Sequence, residues 1–499
     1  MKHRIIPLLT IVASLSLTGC SFFDYIFNDE TEPVAPWTGN KTTLSFTQKE
    51  FTPASYYEND TMPTSGNPKL LVLPIAFKDS DRFFDDEGRA TIKDRLEKAC
   101  FGTNEETGWY SITSFYETES FGECIIEGEV ADWYECGYNY SAVNSTDVTE
   151  RVVKDAVDDW KYKNPDKVKE FDSDENGFLD GVMVIYGGPN YNNYEGHPNR
   201  NMWAYTSWLD TIPNVDNPKA NVYLWASYDF MDSGIEDGII NDTHTYVHEM
   251  GHVFGLDDYY DYAEKGIWAG GFSMQDYNVG GHDPYSLMVL GWAKPYVPTS
   301  SASITIKPFE SSGDMILLSP DFSKKSAYDE YLLIEYYTPT GTNEHDTEYQ
   351  YLDRYPQGPS KGGIRIWHVD ARLLKIINKQ GTKTYSIVNT IDESDGKYIV
   401  GCTNTTYIEG ASTNAYCSLA SELWQYKLLE LIRRSDFTAI RTDEYLTYDH
   451  LFKEGDTFNI SKYPGYFRNQ SRLNDGSRFN WNVKIDSITD KEATITVTI

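Results

Sequence analysis

The sequence predicts an α+β protein of two folded parts. The first is a domain built on a twisted sheet and one unusual helix (residues 67–298), and the second is a β-rich, sandwich-like domain (residues 299–499). Three observations support this prediction. A chain of 499 residues is long enough for two domains. Short apolar runs alternate with helical patterns between residues 69 and 188. After residue 300 the apolar runs have strand length almost throughout.

Residues 1–19 have the organisation of a secretory signal. Lys2 and Arg4 precede an apolar run at residues 5–17 that is too short to span a membrane. The run ends in Leu-Thr-Gly-Cys20, which resembles a bacterial lipobox and implies cleavage before Cys20 and lipid attachment to its sulfur. We therefore expect a protein anchored in the membrane of the bacterial cell envelope through Cys20 and facing outside the cytoplasm. A plain signal peptide with an incidental cysteine is the alternative.

Residues 20–66 have the composition of a flexible tether. They are rich in Pro, Asp, Glu and Thr, and their apolar residues follow no helical or strand period. A remnant propeptide is the other interpretation of this segment. After Cys20 it contains no cysteine that could block a metal ion as a thiolate.

The charge balance restricts the partners. The chain has 43 Lys and Arg against 76 Asp and Glu, a formal charge of −33 at pH 7. Such a surface repels phosphate backbones, so nucleic acid is excluded as a partner. We expect a monomer.

The cysteine count limits the disulfides. Beyond Cys20 the chain has five cysteines, and an odd number cannot all pair within one chain. We predict at most two disulfides, and Cys402 with Cys417 is the easiest pair by sequence distance.

The first domain begins with a predicted strand at residues 69–77. Helical patterns follow at residues 90–99 and 149–160. Between them, residues 111–135 predict a helix that stops near Gly122 and a strand pair after it. A further strand is predicted at residues 182–186.

The segment before that strand resembles a calcium-binding loop. Its acidic and amide side chains fall at the first, third, fifth and ninth positions of an EF-hand-like loop, and a backbone carbonyl falls at the seventh. These candidate ligands are Asp172, Asp174, Asn176, the Phe178 carbonyl and Asp180. Gly177 supplies the sharp turn, but Met183 stands where the twelfth-position glutamate belongs. An Asx-rich turn before a strand is the alternative to a Ca²⁺ site.

The unusual helix carries the spacing H-E-x-x-H-x-x-G-x-x-D. His248 and His252 lie four residues apart, so both imidazoles face one side of a helix and can reach one Zn²⁺. Gly255 permits the positive φ that would turn the chain back and bring Asp258 to the same ion. Zinc lowers the pKa of bound water to about 7, and Glu249 beside it can take the proton. The set predicts a hydrolase.

His244 extends the same helical face by one turn. The metal motif does not use it, and we expect it to pack or to form a hydrogen bond behind the ligands rather than to bind the metal.

The second domain is predicted mainly from strands. Residues 302–307, 331–337 and 363–369 alternate or run apolar at strand length, and the chain ends in two strands around a turn at residues 489–491. One helix is predicted at residues 421–434. A β-sandwich packed against the first domain is the simplest architecture.

These residues resemble the immune inhibitor A family of secreted bacterial zinc metallopeptidases, a branch of the metzincins. The similarity covers roughly residues 69–372 and rests on the metal motif followed by Tyr-Tyr-Asp. Six further patches contribute: Ser114-Phe115-Tyr116 with Ser120-Phe121-Gly122, Gly128-Glu129-Val130, Asp172 to Asp180, Leu290-Gly291-Trp292, residues 330–335 and residues 363–370.

The resemblance implies a metzincin-like catalytic domain. Met274, after Ser273, lies where metzincins place the methionine turn beneath their metal. The family commonly has proline before its third-ligand aspartate, where this chain has Asp257; the spacing favours Asp258 as the ligand. Asp276 stands where metzincins often place a tyrosine, and Tyr277 is one residue later.

The expected activity is hydrolysis of peptide bonds by a zinc metalloendopeptidase. Zn²⁺ would be held by His248, His252 and Asp258, with Glu249 as the base. His368 lies in a predicted strand and is assigned a structural role. Two alternatives stay open: an inactive surface lipoprotein that binds host or matrix proteins, and a zinc hydrolase acting on an amide outside proteins.

Overall fold

The computed structural model describes thirteen stretches of the chain: residues 34–42, 60–84, 88–191, 201–209, 211–234, 238–261, 266–321, 329–379, 382–388, 397–399, 427–435, 444–467 and 471–499. The predicted signal, the lipidation site Cys20 and the predicted Cys402–Cys417 disulfide lie outside them. Within them, Cys100, Cys124 and Cys136 carry free thiols. None of the described helices combines the length and the apolar character that crossing a membrane requires.

The first sheet contains six strands. They are β1 (Lys69–Ala76), β2 (Glu127–Val130), β3 (Tyr134–Glu135), β4 (Gly181–Tyr186), β5 (Tyr205–Trp208) and β6 (Val222–Ser227). The order is β2-β1-β4-β6-β5, and the short strand β3 also pairs with β1. All strands are parallel except β5. The central strands β1, β4 and β6 are apolar runs buried on both faces, as parallel strands covered by helices must be. The strands predicted at residues 69–77 and 182–186 are confirmed.

Nine α-helices are found in the described stretches. They are α1 (Gly88–Phe101), α2 (Asn104–Thr107), α3 (Ile112–Glu119), α4 (Thr146–Lys163), α5 (His244–Val253), α6 (Met274–Tyr277), α7 (Pro284–Val289), α8 (Phe309–Ser312) and α9 (Glu344–Glu348). Residues of α1, α3 and α5 share one apolar cluster with one face of the first sheet, and residues of α4 share another with the opposite face. The predicted helices at residues 90–99 and 149–160 are confirmed.

The segment after α3 differs from its prediction in one respect. The helix ends before Gly122, which has φ +80°, as predicted. The two strands that follow, β2 and β3, do not pair with each other; each pairs in parallel with β1. They lie one after the other along the same edge of β1, opposite the edge that pairs with β4, and sequence spacing could not indicate this common partner.

The second part of the chain contains two packed sheets and a small third one. The five-stranded sheet comprises β7 (Pro295–Tyr296), β9 (Met315–Leu318), β10 (Glu330–Tyr337), β11 (Gly363–Asp370) and β15 (Leu429–Ile432). The four-stranded sheet comprises β8 (Ala302–Ile306), β16 (Thr457–Phe458), β17 (Asn482–Ile488) and β18 (Ala493–Thr498). The third comprises β12 (Leu373–Lys379), β13 (Thr382–Val388) and β14 (Lys397–Ile399). The two larger sheets bury one apolar cluster between them, as in a sandwich.

The prediction of a helix at residues 421–434 is wrong where the structure describes that segment. Residues 429–432 form β15, which pairs antiparallel with β11 and is fully buried. A short apolar run fits a buried strand or a buried helix equally well by its period, and pairing with β11 decided the outcome.

The two parts share one continuous core. Alternate residues of β10 and β11 face opposite sides of the five-stranded sheet. Leu332 and Ile366 belong to the sandwich cluster, whereas Leu333 and Trp367 belong to the cluster that contains α5. The strands β10 and β11 of the second part therefore pack directly against the core of the first part.

Two stretches of the predicted tether are bound to this body. The Trp37 amide donates to the Ser303 carbonyl at 2.6 Å, and Lys41 pairs with Asp314 at 2.6 Å. The Met62 amide donates to the carbonyl of Val253, the last residue of α5, at 3.0 Å. The prediction of a flexible tether is therefore wrong for residues 34–42 and 60–66.

Candidate metal centre and its cleft

The helix α5 places the first two candidate ligands and ends just after them. His248 and His252 lie on one face of the helix. Gly255 then adopts φ +98°, and the Leu256 amide donates to the Gly251 carbonyl at 2.9 Å, so the chain reverses. This turn carries Asp258 back to the imidazoles. The geometric role predicted for Gly255 is confirmed.

Three side-chain atoms converge at one point. The Oδ1 atom of Asp258 lies 3.1 Å from Nε2 of His248 and 3.1 Å from Nε2 of His252, and the two Nε2 atoms are 3.2 Å apart. Four ligands placed tetrahedrally at about 2.0–2.1 Å from an ion are separated by about 3.3 Å. The triangle therefore has nearly the size of one face of such a tetrahedron.

The opposite ring nitrogens fix the tautomer of both histidines. Nδ1 of His248 donates to the Met274 carbonyl at 2.8 Å, and Nδ1 of His252 donates to the Leu256 carbonyl at 2.7 Å. A carbonyl can only accept, so each proton lies on Nδ1 and each Nε2 presents a lone pair. Two lone pairs and a carboxylate facing one another repel unless a cation lies between them. The donor set fits a metal ion.

Met274 lies next to His248. It is fully buried at the start of α6, and its carbonyl orients His248. This hydrogen bond is a direct contact between Met274 and a candidate ligand.

Of the two neighbouring aspartates, Asp258 meets the histidines. Its Oδ1 atom lies 3.1 Å from both Nε2 atoms, which makes it the third candidate ligand. Asp257 is outside the group of converging ligand atoms, and burial raises its pKa to about 7.

Glu249 lies beside the triangle and outside it. Its carboxylate accepts a hydrogen bond from Thr206 of β5 at 3.3 Å, and the same hydroxyl donates to the Glu249 carbonyl at 2.9 Å. Burial raises the pKa of Glu249. A buried carboxyl with a raised pKa next to a metal centre is suited to accept and return a proton.

His244 is held in a clamp one turn before the first ligand. Its Nδ1 lies 2.8 Å from Asp242 and its Nε2 lies 3.2 Å from Asp346. Its ring stacks between Trp109, with centroids 3.7 Å apart, and Tyr351, at 4.1 Å. His244 therefore packs behind the centre, as predicted. Sequence reasoning missed Asp346 and Tyr351 because they lie about a hundred residues away with no spacing signal.

A cleft of about 960 Å³ opens over the centre. It is lined by His248 and Glu249, by the predicted Tyr277, and by residues that the motif did not indicate: Trp203, Ala204, Phe230, Tyr260, Tyr351, Leu352, Arg354, Tyr355 and Tyr445, among others. The last five come from the second part of the chain. Only the three-dimensional arrangement brings them to the cleft.

The candidate calcium loop brings three carboxylates together. Ligand oxygens of Asp172, Asp174 and Asp180 lie within 4.8 Å of one another. Asp172 also accepts from the Asn176 and Gly177 amides, at 2.9 and 3.0 Å. The arrangement is compatible with a cation.

The side-chain oxygen of Asn176, a further predicted ligand, already accepts a hydrogen bond within the loop. The amide of Phe178 donates to the side-chain oxygen of Asn176 at 2.8 Å, and the Asn176 side-chain nitrogen donates to Asp60 at 3.1 Å. Burial raises the pKa of Asp60 to about 7, although the Asn176 bond lowers it. Sequence reasoning missed Asp60 because it lies in the predicted tether.

His368 has a structural role. Its Nε2 lies 2.7 Å from Glu330 on the neighbouring strand, on the sandwich side of the five-stranded sheet. It lies in β11, as predicted, and is not among the residues that line the cleft.

Comparison with known proteins adds no assignment. No protein-family model matches the chain. No curated protein matches it either.

Proposed function

We propose that this chain is a zinc metalloendopeptidase of the metzincin type, similar to the immune inhibitor A family and tethered to the bacterial cell envelope through a lipid on Cys20. One observation carries the proposal: the Nε2 atoms of His248 and His252 and Oδ1 of Asp258 form a triangle of 3.1–3.2 Å, with the Glu249 carboxyl beside it at the cleft.

The three residues of the triangle would hold zinc. Two imidazoles and one carboxylate are ordinary zinc ligands, and a set of three protein ligands leaves a further position open. Zinc, when bound there, supplies a water of lowered pKa and polarises a carbonyl oxygen. The carbonyls of Met274 and Leu256 keep both rings in the orientation that this requires.

Glu249 would act as the proton carrier. Its burial raises the pKa of the carboxyl, which favours uptake of a proton during attack and its return to the leaving amine. Thr206 fixes one of its oxygens through a 3.3 Å hydrogen bond, so the other remains for the reacting water. An inactive binding protein would not need this base.

The surroundings of the cleft favour an extended polypeptide over a small amide. Strand β5 is an edge strand that pairs only with β6 in the described part of the chain. Its Thr206 contacts Glu249, and Ala204, just before it, lines the cleft. An extended peptide can add to such an edge through backbone hydrogen bonds. The cleft is also open and large enough for several side chains.

We further propose that Asp172, Asp174 and Asp180 bind Ca²⁺ and stabilise the loop before β4. Clustered carboxylate oxygens are the ligands that Ca²⁺ prefers. The loop lies at the start of a central strand of the first sheet, so an ion there would stabilise the domain rather than take part in the reaction.

The test is substitution of the base. Glu249→Gln keeps the shape of the side chain but cannot accept the proton. We expect zinc content to stay near that of the wild type while cleavage of unfolded casein falls by about three orders of magnitude or more. Glu310→Gln is the matched control, because Glu310 is also buried with its pKa raised to about 7 by burial but lies outside the cleft lining. Wild-type cleavage by Glu249→Gln with zinc bound would overturn the mechanism.

A further inference from the structure

One carboxylate of the cleft lining has an unsatisfied oxygen. Asp276 follows Met274 by two residues in α6 and lines the cleft next to Tyr277. Its side chain is almost completely buried. One oxygen, Oδ2, accepts from the Gly271 amide at 2.6 Å, but Oδ1 has no hydrogen-bond partner. Leaving a buried acceptor unpaired costs about 1–3 kcal/mol, more when the group is charged.

Other carboxylates of the cleft are already engaged. Asp229 accepts from the backbone and side-chain nitrogens of Asn190 at 2.9 and 3.0 Å. Asp232 pairs with Arg95 at 2.6 Å. Asp276 forms no ion pair within the described residues, although the charge of Arg433 lowers its pKa through space. The Arg433 Nη2 donates instead to the Ile267 carbonyl at 2.9 Å.

Aromatic rings line the same cleft as Asp276. The ring of Tyr277 meets that of Tyr445 edge to face, with centroids 5.3 Å apart, and that of Tyr355 at 6.5 Å. All three rings are half-buried and line the cleft. Tyrosine faces attract cations, and they also pack against the methylene stem of a long side chain. The cleft therefore combines a carboxylate with aromatic walls that suit an organic cation.

A metal ion does not fit this position. Asp276 is not among the groups of converging ligand atoms in the described residues. One free carboxylate oxygen and aromatic walls instead match a lysine ammonium or an arginine guanidinium, which need one strong acceptor and an apolar channel.

We propose that Asp276 is the specificity-determining residue of a subsite for a lysine or arginine side chain of the cleaved polypeptide. This inference rests on the proposed peptidase function and names its substrate class. Burial raises the pKa of Asp276 to about 7, against the lowering effect of the Gly271 bond. A bound cation favours the charged carboxylate and so compensates for the cost of its burial.

The test compares peptides that differ in one charge. A peptide series carries lysine, arginine, N-acetyl-lysine or norleucine at a single variable position that is scanned along an otherwise neutral sequence. Acetylation removes the charge and keeps the length of the stem. At one position we expect kcat/KM for lysine or arginine to exceed that for acetyl-lysine at least tenfold in the wild type.

The variants assign this preference to one residue. In Asp276→Asn the ratio should fall to about one, because the amide can still accept from Gly271 but offers no charge. Asp232→Asn is the matched control, since it removes one charge from the same cleft, and it should retain the tenfold ratio. A preference that survives in Asp276→Asn, or is absent from the wild type, overturns the inference.

A binding measurement separates this inference from the proposed activity. The Kd of the same peptides is measured with Glu249→Gln protein by fluorescence anisotropy. Tighter binding of lysine than of acetyl-lysine peptides, lost on adding Asp276→Asn, supports the subsite even if the wild type cleaves nothing. Cleavage without charge discrimination supports the peptidase and rejects the subsite.

Discussion

Raising the pH through the pKa of His244 should loosen the link between the metal-binding helix and the second part of the chain. His244, in the first turn of α5, lies between the carboxylates of Asp242 and Asp346. The hydroxyl of Tyr351 donates to the other oxygen of Asp242 at 2.7 Å, and the Gly280 amide donates to Asp346 at 2.6 Å. Loss of the positive charge on His244 removes the centre of this network.

The magnitude follows from the shifted pKa. Burial lowers the pKa of His244, but the charges of Asp346 and Asp242 and their hydrogen bonds outweigh it and raise the pKa from 6.5 to about 9. A shift of this size corresponds to about 3 kcal/mol of folding stability. Because the folded pKa is the higher one, this contribution is complete below pH 6.5 and is lost as the pH rises through 9.

The pKa of Asp346, which pairs with Nε2 of His244, gives a smaller value for this contribution to folding stability. Burial raises the pKa of Asp346, but His244 outweighs it and lowers that pKa from 3.8 to about 2, which corresponds to about 2.5 kcal/mol. His244 interacts with two carboxylates whereas this figure counts one of them. We therefore take 2–3 kcal/mol as the expected range, by the same conversion.

The assay compares urea unfolding of the wild type and His244→Gln at a constant free zinc concentration. Trp109 stacks on His244, so tryptophan fluorescence reports on the contact. At pH 6.5 the free energy of unfolding of the wild type should exceed that of the variant by about 3 kcal/mol. This difference should shrink by about 1.4 kcal/mol per pH unit toward pH 9. The other titratable groups are the same in both proteins, so their contributions to the free energy of unfolding cancel in this difference. A difference that does not change between pH 6.5 and 9.5 would refute the assignment of charge to His244.

Three further predictions concern the ligands and the loops. Asp258→Asn should weaken zinc binding at least a hundredfold, whereas Asp257→Asn should retain it within a fewfold, by competition with a chromophoric chelator; equal losses would contradict the choice of ligand. Gly255→Ala should lower the melting temperature through about 1–2 kcal/mol of strain at φ +98° and speed zinc release, whereas Gly455→Ala, at φ +85° in open space, should lower only the melting temperature. Millimolar Ca²⁺ should raise the melting temperature of the wild type and of Asp166→Asn but not of Asp174→Asn; no rise in the wild type would exclude the calcium site.

The local parts of the site could be predicted from the sequence because they depend on short spacings. His248 and His252 are related by one helical turn, and Gly255 needs no tertiary information to end a helix. Asp258 follows within the same segment. The strands β1 and β4 were also predictable, because both are apolar runs buried on both faces.

The parts that could not be predicted depend on distant pairing. Residues 429–432 have an apolar pattern that a helix would share, and only β11 makes them a strand. Asp346 and Tyr351, two of the partners of His244, come from the connection between β10 and β11, and a single sequence contains no signal for that contact. Asp60 likewise meets Asn176 from a segment whose composition predicted only a tether.

The most direct test of the proposed activity is the release of new amino groups from unfolded casein at three stages: by the protein as purified, after a chelator has removed its metal, and after zinc is restored. Elemental analysis at each stage gives the zinc content per chain. We predict about one zinc per chain, no release after the chelator, and recovery of the original rate with one equivalent of zinc. Unchanged release from a protein shown to be free of zinc would contradict the proposal that His248, His252 and Asp258 form the centre of a zinc peptidase.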